Sequence, residues 1–370
     1  MNQRIIGFDL ARAYAIFGMY IVNFTFCFGS FRNETILGKF TNLFIGNSTS
    51  IFIVCAGMGM VFLANRYDNS KEEKRKLHLI VLKRSLFLVA LGLLLYNWWP
   101  GDILHFYGAY MHVAAFILFV PKKYYIWVAV FVLIVYHLLQ LFIPVTTGWN
   151  LETTAYSDFW TPIGFLRNTC YNGWNSFFPW FAYFALGMYL GKVDWQNKRT
   201  WKKLFNIGLC LLVVFKGLRL FIRFDLENPE HNWFYIKYWF QLMEDYFPVN
   251  IPFFMITLGW ALMIISTCIF LGNRFAQNKL ILLLAKTGKM TLTHYVMHMT
   301  VGVVIFALLT AKKYTGFPQS EMPVEPVYIL LYALAFFGLS VFFSALWSKR
   351  FKNGPLEMLM RFISDKRMKQ

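Results

Sequence analysis

Residues Arg4–Phe24 read RIIGFDLARAYAIFGMYIVNF. From residue 5 on, the run is apolar apart from Asp9, Arg12 and Asn23. About 20 mostly apolar residues are enough for a helix to cross the hydrocarbon core of a bilayer. A charged group at that depth is expensive and is kept where it faces protein or water. Asp9 and Arg12 are three apart and can pair on one helix face. Arg12 and Asn23 are eleven apart, about three whole turns, so they share a face roughly 16 Å apart along the axis. This stretch therefore predicts a membrane helix with one polar face, and that face must look into a protein cavity.

The same signal recurs along the chain. Ten apolar runs are expected, at about 10–29, 47–64, 81–98, 103–120, 124–144, 176–191, 204–222, 250–272, 290–309 and 326–347. They are continuous rather than alternating, which excludes a barrel. The expected fold is all-α, a polytopic integral membrane protein with about ten transmembrane helices. A single domain spans 1–370, with outer loops 145–175 and 223–249 and a cytoplasmic tail 348–370. Composition agrees: 58% of the 370 residues are hydrophobic and 15% are charged, whereas a soluble domain has about 25% charged residues. Asp9 and Arg12 within the first run, with no small-residue cleavage site after it, argue against a cleaved signal peptide.

The net charge of +18 suggests nucleic acid only on a soluble protein. Here Lys and Arg gather in alternate connections, at residues 66–84, 122–123, 192–203, 274–289 and 349–369. The bias between the two sides is about four to one, which predicts cytoplasmic N- and C-termini in a bacterial inner membrane. No nucleic-acid partner is expected. The acidic residues Asp225, Glu227, Glu230, Glu244 and Asp245 then fall outside. Five cysteines form no CxxC, so neither a disulfide scaffold nor a zinc site is expected.

Three further polar clusters stand in apolar surroundings. Trp98–His105 reads WWPGDILH, where Pro-Gly makes a turn and Asp102 and His105 share a face of the helix that follows. A carboxylate beside a His orients it and raises its basicity; Asp102 would equally cap the helix start. Gly288–His298 reads GKMTLTHYVMH, with His294 and His298 one turn apart. That spacing suits a metal pair, but no third ligand is evident and no metal is expected. A His inside the membrane is a plausible general base. Asn172, Asn175 and Trp180 stand where the outer loop enters the sixth run, a composition suited to a polar acceptor as well as to an interfacial belt.

These clusters, in this order, resemble one family. The opening RIIGFDLARAYAIFGMYIVNF is similar to the start of bacterial YeiB-like proteins (domain of unknown function 418), relatives of the heparan-α-glucosaminide N-acetyltransferases. LKRSLFLVALGLLLYNWWPGDILHFYG (82–108), YNGWNSFFPWFAYFALGMYLG (171–191), GKMTLTHYVMH (288–298) and NGPLEMLMR (353–361) resemble further motifs of the two groups. The resemblance implies a transmembrane acyltransferase that passes an acyl group from cytoplasmic acyl-CoA to an envelope glycan or lipid-linked acceptor. Membrane lipids are the remaining partners, and a homodimer is left open. In that frame Arg12, Arg84, Asp9, Lys289 and Tyr295 belong with the donor. His298 or His105, the latter with Asp102, takes the acceptor's proton, and Asn23 or Asn175 donates to the oxyanion. The chain departs from the relatives in three places: Asn23 stands where many have His, residues 30–46 contain no His, and Asn175 replaces a His. A transporter or a non-catalytic envelope protein are the alternatives.

Overall fold

The computed structural model describes residues 5–67, 70–150, 153–226, 246–314 and 323–365. Glu227, Glu230, Glu244, Asp245 and most of the loop expected at 223–249 lie outside the described residues.

Helix α1 (Ile6–Phe28) runs through the centre, flanked by α3 (Asn47–Ala64), α10 (Ile251–Arg274), α11 (Lys279–Gly288) and α14 (Pro326–Trp347). Its apolar residues are buried on all sides, as expected of an inner helix rather than a lipid-facing one. The peripheral helices show the converse. On α6 (Lys123–Phe142) Trp127, Phe131 and Leu141 are exposed, and on α14 so are Leu331, Leu339 and Phe342. Without a membrane in view these are apolar patches; in a bilayer they face acyl chains.

Lipid is as apolar as Leu, so burying Leu does little to hold such helices together. Close approach of small residues and interhelical hydrogen bonds do more, the latter at about 0.6 kcal/mol each on average. Gly57 of α3 lies against the carbonyl of Phe184, and Gly187 of α8 (Phe177–Gly191) against that of Val54. A side chain at either glycine would strike the backbone of the opposing helix. Ser50 donates to the carbonyl of Thr257 at 3.1 Å, tying α3 to α10.

Among the described residues, seven helical segments are long and apolar enough to cross a membrane: 6–28, 36–64, 71–96, 123–142, 251–274, 291–310 and 326–347. Ten runs were expected. The other three are also helical: α5 (Leu104–Ile117) has 14 residues, α8 has 15, and α9 (Lys198–Leu226) has 29 and opens with Lys198, Arg199, Lys202 and Lys203. Helix α5 is short because Asp102 starts it and Pro121 follows soon after its end. Helix α4 (Lys71–Tyr96) begins ten residues before the expected run at 81–98: Ser70 caps it by accepting from the Glu73 amide at 3.2 Å, so the charged prefix is helical too.

The two ends of the bundle differ. At one end lie the start of α1, the end of α10, α11 and the C-terminal helix α15 (Pro355–Asp365). At the other end, Val324 donates to the carbonyl of Phe28 at 2.7 Å, and in the segment after α6 Phe159 and Trp160 pack on Tyr96 at the end of α4, Phe159 also on His105 at the start of α5. That segment contains a short antiparallel pair, β1 (Trp149–Asn150) with β2 (Ala155–Tyr156), the short helix α7 (Pro162–Arg167) and a π-helical turn Asn168–Asn172.

Candidate functional site

The segment Thr291–Thr310 is interrupted. Helix α12 (Thr291–Met297) passes into a π-helical turn at His298–Gly302 and resumes as α13 (Val303–Thr310). Such interruptions often mark functional sites, because the extra residue re-aims a side chain. Here His298 opens the turn and faces α1. Its Nε2 stands 2.9 Å from Asn23 Nδ2, and its Nδ1 3.2 Å from the carbonyl of His294. A carbonyl only accepts, so Nδ1 carries the proton. Nε2 therefore holds a lone pair, to which Asn23 donates. Tyr20 covers the ring at 4.8 Å between centroids, and its hydroxyl meets Ser340 Oγ at 2.9 Å.

His294, one turn earlier, faces α14 instead. Its Nε2 lies 2.7 Å from Ser344 Oγ, which itself donates to the carbonyl of Ser340 at 2.8 Å. The two histidines thus share a helix face in sequence but serve different neighbours. Among the described residues no three His, Cys, Asp or Glu side chains come close enough to hold a metal.

Tyr295 links α12 to α5. Its hydroxyl donates to Asp102 Oδ1 at 3.1 Å and accepts from the Ile103 amide at 3.1 Å. The second carboxylate oxygen of Asp102 caps α5, accepting from Leu104 N at 2.8 Å and His105 N at 3.3 Å. It also faces His105 Nδ1 at 3.5 Å. Both readings of Asp102, a helix cap and a partner of His105, are therefore realised by one oxygen. The far nitrogen of His105, Nε2, is buried and has no hydrogen-bond partner. Around it stand Phe106, Tyr96 and Phe159, the last from the segment between β2 and α7. Tyr295 and His298 meet edge to face at 5.3 Å between ring centroids. Direct contacts thus run from Asn23 through His298, Tyr295 and Asp102 to His105.

Arg12 lies earlier on α1, toward the end that carries α11 and α15. Its Nη1 reaches Asp9 at 3.3 Å and its Nη2 the carbonyl of Cys55 at 3.3 Å. It keeps 23% of its side chain exposed although α1 is enclosed by other helices. Gly59 makes room for it: a Cβ there would stand 3.0 Å from Nη2.

The remaining expected residues go elsewhere. Arg84 is paired with the C-terminal helix, donating from Nη2 to both oxygens of Asp365 at 2.8 Å and from Nε to Ser364 at 3.1 Å. Lys289 sits half-buried between α11 and α12. Asn175 donates to the Tyr246 hydroxyl, and its carbonyl accepts from Tyr110. These contacts hold the entry to α8 and do not join the pair Asn23–His298. Asn172 is similarly structural. It accepts from the Tyr156 hydroxyl at 2.7 Å and donates to the carbonyl of Thr147 at 2.7 Å. Arg167 completes this network through Tyr156 at 2.8 Å and Asp158 at 2.6 Å. Burial pushes the Tyr156 phenol up from its ordinary value, against the pull of Arg167.

Sequence reasoning missed one residue that holds the start of α12. Glu357 of α15 accepts from the amides of Leu292 at 2.7 Å and Thr293 at 3.3 Å, and from the Thr293 hydroxyl at 2.6 Å. In return Thr293 Oγ1 accepts from the Leu356 amide at 3.1 Å. Two helix starts, α12 and α15, cap each other, and a carboxylate is favourable at the start of the helix carrying His294, Tyr295 and His298. Gly354 permits this approach, since a Cβ there would meet Thr293 Oγ1 at 2.7 Å.

Two family descriptions match the chain. "Heparan-alpha-glucosaminide N-acetyltransferase, catalytic" matches residues 4–210, and "Protein of unknown function (DUF418)" matches residues 193–367. No curated protein and no solved structure matches.

Proposed function

The chain belongs to the heparan-alpha-glucosaminide N-acetyltransferase catalytic family, with a second half of the DUF418 type, and from this premise we propose that it moves an acyl group from cytoplasmic acyl-CoA to an envelope glycan or lipid acceptor across the bacterial inner membrane. In this reading both termini are cytoplasmic, and α5, α8 and α9 complete about ten spans. The basic connections meet the CoA phosphates.

The observation that carries the reading is the pair Asn23–His298 at 2.9 Å. It places an oriented imidazole lone pair on the polar face of α1, beyond a partly open guanidinium. Arg12 holds the polar arm of the donor. The acceptor hydroxyl or amine displaces the Asn23 amide from Nε2, and His298 takes its proton as the new bond to the thioester carbon forms. The freed Asn23 amide donates to the carbonyl oxygen as charge develops there. Collapse breaks the C–S bond, and the leaving thiolate takes the proton back from His298. The products are the acylated acceptor and CoA with a free thiol.

Membrane vesicles carrying the full chain, given acetyl-CoA or palmitoyl-CoA, test this through thiol release. The expected result is release that falls by about 10²–10⁴-fold in His298→Ala with the protein still folded. Undiminished release in that variant would remove His298 from the mechanism. No release from any acyl-CoA by the unaltered chain would overturn the acyltransferase reading.

A further inference from the structure

The tyrosines of α1, α5 and α12 that surround the polar face differ in one respect. Tyr20 is bonded to Ser340, Tyr110 to the carbonyl of Asn175, and Tyr295 to Asp102. The hydroxyl of Tyr107 is as buried as these and has no partner. An unpaired buried hydroxyl is costly and calls for a reason.

Its position supplies one. Tyr107 is one turn beyond Ile103, the residue whose amide is held by Tyr295. Its ring packs on Phe52 of α3 at 5.3 Å between centroids. Three residues on, the carbonyl of Cys55 receives Arg12 at 3.3 Å. Among the described residues, Arg12, Cys55, Tyr110 and Tyr295 lie close enough to the Tyr107 hydroxyl to act on it electrostatically. Asp9 and Cys55 account for two of the five N–H groups of Arg12. An idle O–H donor and a guanidinium with donors to spare thus flank the same stretch of α3, between the level of Arg12 and that of Tyr295.

We propose that Tyr107 is a further catalytic residue, whose hydroxyl, between the level of Arg12 and that of Tyr295, donates to the carbonyl oxygen of an acyl thioester whose polar arm Arg12 holds. This rests on the acyltransferase reading. As the acceptor's oxygen or nitrogen bonds to the carbonyl carbon, the carbonyl electron pair moves onto its oxygen, and Tyr107 stabilises that negative charge. When the charge folds back, the C–S bond breaks and CoA leaves. The hydroxyl gives up no proton and is unchanged after each turnover. The resting state leaves it without a partner because the partner is the substrate.

Tyr107→Phe removes only the oxygen. Because no protein group bonds to it, the thermal midpoint should stay the same or rise slightly. With acetyl-CoA or palmitoyl-CoA in vesicles carrying the full chain, kcat should fall by about 10²-fold with little change in KM. Unchanged kcat in Tyr107→Phe beside an active unaltered chain would overturn this inference alone. A fall in kcat accompanied by a clear loss of thermal stability would also overturn it, by giving the hydroxyl a structural role. An unaltered chain that is inactive with every acyl-CoA would overturn the acyltransferase reading and this inference with it.

Discussion

Asn23 and His298 lie 275 residues apart in sequence and 2.9 Å apart in the structure, nitrogen to nitrogen. The contact couples the membrane segment at 6–28 to the one at 291–310. It also fixes which nitrogen of His298 carries the proton. The two side chains should therefore behave as one unit. Asn23→Ala and His298→Ala, each assayed alone and together for thiol release, should give a double variant no worse than His298→Ala alone. Losses that simply multiply would mean that the two residues act separately.

Arg12 makes a different contribution. It is the charged group on the polar face that remains partly open. Arg12→Ala should raise the KM for acyl-CoA by roughly 10–100-fold, the loss expected for hydrogen bonds to a charged group. Arg12→Lys should recover only part of this, since a point charge cannot reproduce the planar fork. Thermal stabilisation of the purified protein by acetyl-CoA checks both variants, and an Arg12→Ala protein stabilised as well as the unaltered chain would dismiss the role.

Glu357 should impose a pH dependence on stability. Burial raises its carboxyl above the ordinary value, against the opposing hydrogen bonds from Thr293 and Leu292. A carboxyl with a raised folded-state value favours the folded protein most when it is protonated. The contribution is complete below the ordinary value of about 4.3 and is lost as pH rises through the raised one. Glu357→Gln keeps an acceptor for the α12 amides and should flatten this part of the stability profile. Glu357→Ala leaves buried amides unpaired and should cost about 1–3 kcal/mol. Denaturation of the detergent-solubilised protein between pH 4 and pH 8 reads both effects; parallel profiles for Glu357→Gln and the unaltered chain would contradict the assignment.

Asp102 caps α5 and faces His105 with one oxygen and receives Tyr295 with the other, and its variants should separate its charge from its capping. Asp102→Asn retains an acceptor for Tyr295 or the α5 amides and should fold, while losing the negative charge beside His105. Asp102→Ala uncaps α5 and should lower stability by about 1 kcal/mol or more. If Asp102→Ala matched the unaltered chain in thermal midpoint, the capping account would be wrong.

Much of this architecture is legible in the sequence, because lipid imposes a blunt requirement on composition. The run at 326–347 appears as α14 with the same bounds, and that at 47–64 as α3. The spacing of Arg12 and Asn23 on one helix is legible from periodicity, whereas Asp102 stands before the start of α5 and meets His105 by capping that helix rather than by sharing its face. Other features depend on contacts that periodicity does not encode. Glu357 belongs to the quoted segment NGPLEMLMR, yet its purpose depends on an amide 65 residues earlier. Tyr107 is one aromatic among 41 Phe, 20 Tyr and 13 Trp; only the missing partner of its hydroxyl sets it apart. Arg84 looks like a free cation in the sequence, and nothing local announces that Asp365 will meet it. The run at 290–309 gives no sign that the helix is interrupted at His298, since a π-helical turn needs no Pro or Gly to form.

Acyl transfer across a sealed bilayer tests the account most directly. Proteoliposomes of uniform orientation, supplied with labelled acyl-CoA on the face bearing α15 and with a membrane glycan or lipid extract on the opposite face, should accumulate covalently bound label on the opposite face and lose that product in His298→Ala. Label that crosses without becoming covalently attached, or product confined to the side of the donor, would contradict it.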